Sequence, residues 1–459
     1  MSTFYIEQFG CRATQADGAA IERQLLDRGC LPSSSPQNAE FVIINTCTVT
    51  SAADAQARDA IRKIHSQNPT AKILVTGCYA QRAPEELAAL PGVSFVVGNS
   101  HKPQIPNLIA FPANNSDFVA ATLVGAPQTP SLIVGDIFKS RDVLVAPVLG
   151  GEGNHTRPIL KIQDGCNNRC SFCVIPFVRG KSRSLAPGAV LAEIHRLCDS
   201  GFQEIVLSGI NLGSWGRDLS PRADILDLLR RILDETPLPR LRISSIEPLD
   251  VTQDLIALFA STDRIAEHFH MPLQSGSDNI LAAMHRWYRT EHYGRRVKLI
   301  REFLPSAAIG ADVIAGFPGE SEADHEATLC FVDSLPFTYL HVFSYSSRPS
   351  TKAAALESHL PGETIHRRAT ELRALGESKS AAFRQSQLGR VLRVLTLNRQ
   401  GKFSSAPWTP ALSSNYLQLR IPELLPANQF LDARLAAISD SYLYAERVSA
   451  PQLASASAW

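Results

Sequence analysis

The sequence predicts an α/β protein in three parts: a small parallel α/β domain at the amino end, a partial barrel of six βα units, and a small β-barrel at the carboxyl end. Two successive alternations of apolar runs with helical stretches predict the first two parts, because strands separated by helices are joined in parallel. Closely spaced short apolar runs after a helical connector at 376–387 predict the third. With 459 residues, 44% hydrophobic and 19% charged, the chain is too long for one core and too apolar to stay disordered.

In the first part, residues 1–100, the apolar runs at 4–8, 41–45, 72–76 and 93–97 read as strands, with helices over 16–28, 52–66 and 84–89. Residues 101–155 are rich in Pro, Asn, Ser and Gly and read as a linker holding only short apolar runs such as 131–134. The second part, 156–380, has strands at 159–163, 204–208, 241–246, 268–273, 307–315 and 339–344, and helical stretches such as 189–200, 225–235 and 291–303. In such barrels the functional loops lie at the carboxyl ends of the strands. The third part, 381–459, has short strands at 391–397, 416–421, 434–438 and 442–448.

The 45 basic residues nearly balance 44 acidic ones, so any nucleic-acid-binding face must be local. No basic leader and no run of about 18 apolar residues occurs, which predicts a cytoplasmic protein without a membrane partner. Nine cysteines in such a chain argue for metal or catalytic use rather than a disulfide framework.

Three of them, Cys166, Cys170 and Cys173, follow the first barrel strand in a Cys-x3-Cys-x2-Cys loop. Soft thiolates at this spacing suit an iron-sulfur cluster or zinc. A structural zinc site normally has four ligands, and downstream His195 and Cys198 fall within a helical stretch. Three ligands on a four-iron cluster leave one iron open to a reactive ligand. Cys11, Cys47 and Cys78 each follow a strand of the first part, and parallel strands bring their carboxyl ends to one edge, where three thiols can converge on a second metal centre. Cys30, Cys198 and Cys330 lie in helical or helix-end contexts and read as ordinary free thiols.

At the Cys166–Cys173 loop the chain resembles the radical S-adenosylmethionine superfamily, and the two cysteine sets in this order resemble its methylthiotransferase family. The resemblance includes Asn45-Thr-Cys47-Thr-Val-Thr, Gly77-Cys78-Tyr-Ala-Gln81, Arg179-Gly180-Lys-Ser-Arg183-Ser184, Gln274-Ser-Gly-Ser-Asp278, Met284-His-Arg286, Gly316-Phe-Pro-Gly-Glu320 and His341-Val-Phe-Ser-Tyr345. It implies two [4Fe-4S] clusters, one on each set, with S-adenosyl-L-methionine as cosubstrate. One cosubstrate molecule gives a methyl group to sulfur held at the Cys11/Cys47/Cys78 cluster, and another yields a 5'-deoxyadenosyl radical that takes hydrogen from C2 of a modified adenine. It also implies that Phe172 packs near the cosubstrate adenine and that Ser208, Gly209, Gln274 and Gly316 contact the cosubstrate. Gly and Ser at strand ends, however, more often serve turns. The implied partners are tRNA, an electron donor such as flavodoxin or ferredoxin, and a sulfur donor the sequence does not identify.

Gly10-Cys11-Arg12, Thr46-Cys47-Thr-Val-Thr50, Ala53-Asp54 and Arg58 resemble the branch that modifies threonylcarbamoyladenosine at position 37 of tRNA. The branches acting on isopentenyladenosine and on a ribosomal protein rank next, and a zinc-stabilised RNA-binding protein without catalysis is the alternative of another class. Three departures touch the substrate side. Thr14 stands where the family usually has Asn, Ser350 replaces the Gly of an Arg-x-Gly-Thr element, and the terminal barrel lacks a Glu common after its first strand.

The tail carries Arg384, Arg390, Arg393, Arg399, Lys402, Arg420, Arg434 and Arg447 against Glu423, Asp432, Asp440 and Glu446. It is locally basic, and Trp408 and Tyr416 are expected to add stacking surface for bases. A solvated charged face with the aromatics in the core is the competing reading. Ser414-Asn415-Tyr416-Leu-Gln-Leu-Arg420 resembles the family's TRAM domain, which favours RNA binding.

Overall fold

The computed structural model describes residues 2–110, 130–140, 143–144, 147–148, 156–399, 407–439 and 442–448. The amino-terminal sheet contains β1 (Thr3–Gln8), β2 (Leu31–Pro32), β3 (Phe41–Thr46), β4 (Lys72–Gly77), β5 (Val93–Gly98) and β6 (Ser131–Ile133), all parallel, in the order β2-β1-β3-β4-β5-β6. Every residue of β3 is buried, as expected of a central parallel strand covered on both faces. One apolar layer contains Val42, Ile44, Ile73 and Val75, and the opposite layer Phe41, Ile43, Leu74 and Phe95. The alternation along each strand sends successive side chains into different layers.

The helix α1 (Arg12–Asp27) follows β1, and α2 (Ser51–Gln67) follows β3, capped by Thr50 whose hydroxyl accepts from the Ala53 amide. The stretch expected to be a linker does more than connect. Residues Ile105–Ala110 form a helix against the first sheet, Ser131–Ile133 is that sheet's edge strand, and β7 (Pro147–Val148) pairs antiparallel with the first barrel strand. Its short apolar runs find partners far away in sequence, which local composition does not reveal. The Gly150–Gly153 segment lies outside the described residues.

The barrel is built from β8 (Ile159–Asp164), with the short β9 (Arg183–Ser184) on its edge, and then β10 (Glu204–Gly209), β11 (Arg240–Ile243), β12 (His268–His270), β13 (Ala308–Ala315) and β14 (Tyr339–Ser344). Parallel ladders join β8, β10 and β11, and β12, β13 and β14, while single bridges at Leu241–Ile265 and Ser245–His270 connect β11 to β12. Among the described residues no ladder joins β14 back to β8, so the barrel is partial. Its outer face packs one large apolar core with the covering helices.

The long helix Gly362–Ser386 leads to a closed barrel of β15 (Val391–Thr396), β16 (Thr409–Ser413), β17 (Gln418–Ile421), β18 (Phe430–Ile438) and β19 (Leu443–Arg447), ordered β15-β16-β17-β19-β18. Closure removes free strand edges. This small barrel is fastened to the larger one by a buried charge centre. Arg240 and Arg242 both donate to Glu204, and they also donate to the carbonyls of Leu412, Ser413 and Ser414. Burial alone would raise the Glu204 carboxyl, but Arg242, Arg240 and Arg157 hold it well below the usual range. Among the described residues no helix is long and apolar enough to cross a membrane.

Candidate active site

The barrel cysteine loop begins where β8 ends. Gly165 takes a φ of +74°, and a Cβ there would meet the Lys181 carbonyl oxygen at 2.0 Å, so only glycine lets the loop turn under its neighbour. The Cys166 amide then donates to the Gly180 carbonyl. Cys166, Cys170 and Cys173 are all partly exposed and all free. Burial pushes the Cys173 thiol up to about 12, with the neighbouring Cys170 adding to the effect. Two side chains from outside the loop reach its sulfurs: Arg286 Nη1 lies 3.3 Å from Cys170 Sγ, and Asn211 Nδ2 lies 3.9 Å from Cys166 Sγ. Arg286 is buried and also bonds Glu247. Thiolates that accept bonds from a cation and an amide suit a metal centre with clustered negative charge.

Phe172 packs in a small apolar group with Ile280, Met284 and Phe317, directly beside the loop. Ser171 binds the loop to the Met284-His-Arg286 element, its amide donating to the Met284 carbonyl and its hydroxyl to the Ala283 carbonyl. Ser208 is buried at the end of β10, and Gly209 lies against Gln163. Gln274 adopts φ +68° and bridges to Val313 in β13. Gly316, φ +78°, donates its amide to Glu320, which is fixed by Arg368. These last two positions shape turns at the mouth of the barrel.

The amino-terminal thiols converge as parallel strand order requires. Cys11 caps α1, Cys47 follows β3, and Cys78 opens the short helix α3 (Cys78–Arg82) after β4. The Cys47 thiol is pushed up to about 12, first by burial and then by Cys78 and Cys11. A Cβ on Gly10 would come within 2.9 Å of Cys47 Sγ, which places the Cys11 turn against Cys47. Thr14, the position that departs from the family pattern, has its hydroxyl 3.6 Å from Cys11 Sγ and 3.4 Å from Arg179 Nη2. Asn99 Nδ2 lies 3.6 Å from Cys78 Sγ and donates to the Val178 carbonyl.

Between the two thiol sets is a buried ionic network that sequence reading did not foresee. Asp17 of α1 accepts from Lys102, Lys161 and Arg179, while Asp164, two residues before Cys166, accepts from Lys161 and Arg179. Burial would raise both carboxyls, but the surrounding cations hold them well below the usual range. Arg179 is held charged by Asp164, Cys78, Asp17 and Cys11 against the opposing effect of burial. Arg348 supplies a second tie. It bonds Asp54 and Thr48, beside Cys47, and so docks the loop after β14 onto the amino-terminal domain.

Along the inside of the barrel, His268 and His270 both share the Tyr339 hydroxyl, at 2.7 and 3.0 Å. His270 and His341 in turn contact Asp312 Oδ1, at 2.9 and 3.3 Å. Burial opposes ionisation of Asp312, but its bonds to His270 and His341 keep the carboxyl well below its ordinary range. Asp312 and His341 are register partners on β13 and β14, so the sheet itself aligns them.

The terminal barrel differs from expectation in holding a fifth strand, Thr409–Ser413, and in the direction of Tyr416. Tyr416 does not face outward for a base; it stacks on His268 with ring centroids 4.2 Å apart, under Arg242. Its positive φ of 67° turns the Ser414–Tyr416 segment into the larger barrel. Trp408 is stacked by Arg420, and Arg393 pairs with Asp263. Lys402 and Asp440 lie outside the described residues.

Residues 3–98 match a family described as uncharacterized protein family UPF0004, and residues 160–332 match the radical SAM superfamily. The chain is 36% identical over 415 residues to the threonylcarbamoyladenosine tRNA methylthiotransferase MtaB of Aquifex aeolicus, covering 90% of this chain and 95% of that protein. It is 35% identical to the protein of the same name in Bacillus subtilis, over 86% of this chain and 85% of that one. It is also 32% identical to a tRNA-2-methylthio-N(6)-dimethylallyladenosine synthase of Sphingopyxis alaskensis, over 98% of both chains. Among solved structures, the radical S-adenosylmethionine methyltransferase TsrM of Kitasatospora setae shares the fold, with a TM-score of 0.56 at 16% identity over 77% of each chain. With the loop Cys166-x3-Cys170-x2-Cys173 at the end of its first barrel strand and relatives of this identity along nearly their whole length, the chain belongs to the methylthiotransferase family of radical S-adenosylmethionine enzymes.

Proposed function

We propose that the protein adds a methylthio group to C2 of N6-threonylcarbamoyladenosine at position 37 of tRNA. The observation that supports this reading is the buried ionic network tying the helix after Cys11 to the strand before Cys166, in a chain whose relatives at 35–36% identity bear that activity in their names. Cys166, Cys170 and Cys173 would hold the cluster that binds S-adenosylmethionine, and Cys11, Cys47 and Cys78 a second one. The donor chemistry fits: each set offers three soft sulfurs, with second partners in place at Cys166, Cys170, Cys78 and Cys11. When bound, the first cluster supplies the electron that cleaves the cosubstrate to a carbon radical, which an aromatic C-H of negligible acidity requires.

The chain's own residues then have definable tasks. Arg286 and Asn211 orient the sulfurs of the barrel loop. Phe172, Met284 and Phe317 give an apolar wall beside it, suited to a nucleoside face and to excluding water. Ser208, Gly209, Gln274 and Gly316 are assigned to the cosubstrate side as strand-end positions, Gln274 and Gly316 through the turns they hold. Tyr339, His270, Asp312 and His341 form a polar inner wall whose fixed hydrogen bonds can orient a purine. Flavodoxin or ferredoxin is assigned as the electron donor.

The test is mass spectrometry of tRNA nucleosides from cells lacking the gene, complemented with wild type or Cys47→Ala. Loss of the methylthio group from threonylcarbamoyladenosine, restored by wild type alone, is expected. Loss from isopentenyladenosine instead would reassign the branch. In vitro, Cys170→Ala is expected to abolish cosubstrate cleavage, whereas Cys47→Ala retains cleavage without sulfur insertion. Normal methylthio product from anaerobically reconstituted Cys47→Ala refutes the division of labour.

A further inference from the structure

Many exposed arginines of this chain meet a carboxylate, as in Arg62–Asp59, Arg231–Glu235, Arg295–Glu291 and Arg367–Glu322. Around the barrel cysteine loop the cations do not. Lys139, Arg169 and Lys181 are exposed, and among the described residues none of the three forms a salt bridge. Asp136, the exposed acid of the same segment, spends Oδ1 on the Phe138 amide. These residues come from separate stretches of chain that meet in one patch. The Arg169 guanidinium lies 5.9 Å from the Phe138 ring centroid, and His285 donates from Nδ1 to the Arg169 carbonyl at 3.3 Å. A Cβ on Gly180 would meet the Ile137 carbonyl oxygen at 2.6 Å, which seats the 137–139 turn against the turn leading to Lys181.

Two large apolar side chains stand among these cations. Phe138 is 39% exposed and Trp287 72%. Trp287 is rigidly supported. On one side Arg286 bonds Glu247 and reaches Cys170 Sγ, and on the other Tyr288 donates to the Pro272 and Leu273 carbonyls. The backbone between two buried anchors is thereby fixed and the indole turned outward, where it forgoes burial that a covering partner would restore. Unpaired cations around exposed aromatics fit an acidic macromolecule. Nearness to Cys170 decides which kind. Arg169 adjoins Cys170 in the chain, and Trp287 adjoins Arg286, whose Nη1 lies 3.3 Å from Cys170 Sγ. Electron tunnelling falls off steeply with distance, so an electron carrier must dock where the path to a cluster on the loop is short. A nucleic acid gains nothing from such a path. We propose that Phe138, Lys139, Arg169, Lys181, His285 and Trp287 form the docking surface for an acidic one-electron carrier protein, with Trp287 as its apolar anchor. The proposal rests on the radical-chemistry reading above, in which Cys166, Cys170 and Cys173 hold a cluster that must be reduced from outside.

Flavodoxin serves as the probe, with anaerobically reconstituted full-length enzyme. Its Kd is measured by surface plasmon resonance at low and high salt, and S-adenosylmethionine cleavage is driven either by reduced flavodoxin or by dithionite. Lys139→Glu/Lys181→Glu and Trp287→Ala are each expected to raise the flavodoxin Kd about tenfold, and Trp287→Phe to retain most of the affinity. Wild-type binding should weaken with salt, and binding by the double variant should depend on salt less. Dithionite-driven cleavage and tRNA affinity should stay at wild-type values in all of them. An unchanged flavodoxin Kd in both Lys139→Glu/Lys181→Glu and Trp287→Ala refutes the surface, as does a loss of tRNA affinity in its place, which would assign the patch to RNA. Either result leaves the radical chemistry standing as long as dithionite still drives cleavage. Absence of dithionite-driven cleavage in wild type would instead remove the radical-chemistry reading, and the proposal with it.

Discussion

Replacing Glu204 with Gln tests whether the terminal barrel is held by charge or merely by packing. Glu204 is fully buried and is the shared acceptor of Arg240 and Arg242, with Arg157 as a third cation 3.3 Å away. The amide keeps the shape and one acceptor but removes the negative charge. Two buried guanidinium groups then face each other uncompensated, a change that typically costs about 3–5 kcal/mol. The same guanidinium groups hold the carbonyls of Leu412, Ser413 and Ser414, so the loss should be felt first at the barrel-barrel junction. Burial already draws Arg240 down to about 10, which shows how much it depends on its partner. Hydrogen-deuterium exchange of the segment spanning β16 and β17 is the assay, and faster exchange there than in β3 and β4 is expected. The sign with pH follows from the same group. Because the folded-state carboxyl is depressed, its contribution is present above the ordinary glutamate range and is lost as pH falls through the folded value. Wild type should therefore lose this junction on acidification, and Glu204→Gln should show a weaker pH dependence. Unchanged exchange in Glu204→Gln at neutral pH would refute the reasoning.

Other perturbations have equally definite outcomes. Gly10→Ala would drive a Cβ to 2.3 Å from Cys47 Cβ, so this variant should lose the iron of the amino-terminal set and keep that of the barrel set, as metal and acid-labile sulfide analysis would show. Arg286→Gln removes a cationic donor 3.3 Å from Cys170 Sγ, and the barrel cluster's midpoint potential should fall by ~60 mV, the one-electron equivalent of about 1.4 kcal/mol, in a redox titration followed by electron paramagnetic resonance. Ser350 sits at φ +67°, so Ser350→Gly should stabilise the loop carrying Arg348 by about 1 kcal/mol, seen as a raised unfolding midpoint. Asp312→Ala should weaken productive use of tRNA, read as a higher KM, by removing the acceptor that His270 and His341 share.

What could be read from the sequence was what depends on local period. The all-buried run of β3 and the six barrel strands announce themselves by apolar content and spacing, and the cysteine loops by their position at strand ends. The ionic network was invisible for a physical reason: Asp17 and Lys161 are 144 residues apart, and each alone resembles a solvated charge in an amphipathic segment. In β8, Lys161 and Gln163 occupy one face of a period-two strand, the pattern an edge exposed to water would also show. Tyr416 misled for the opposite reason. An aromatic in a basic tail suggests base stacking, but its left-handed backbone and the facing His268 decide its direction, and neither is a local property of composition.

The network also bears on how two loops from separate sheets are held in register. Fixing the Cys11 turn relative to the Cys166 loop requires ties that cross the domain boundary and resist sliding. Apolar contacts alone are non-directional. Arg179 instead places one nitrogen on Asp164, two residues before Cys166, and the other on Asp17 and Thr14, in the first turns of the helix that Cys11 caps. Its planar guanidinium makes those bonds mutually dependent in direction. Lys161 repeats the link from Asp17 to Asp164, so the tie is double. Arg348 adds a third on the Cys47 side through Asp54. A displacement of either domain would strand buried charge, at a cost of several kcal/mol. The burial of so many ions between two domains is thus intelligible as positional control: it fixes where the Cys11 turn stands relative to the Cys166 loop.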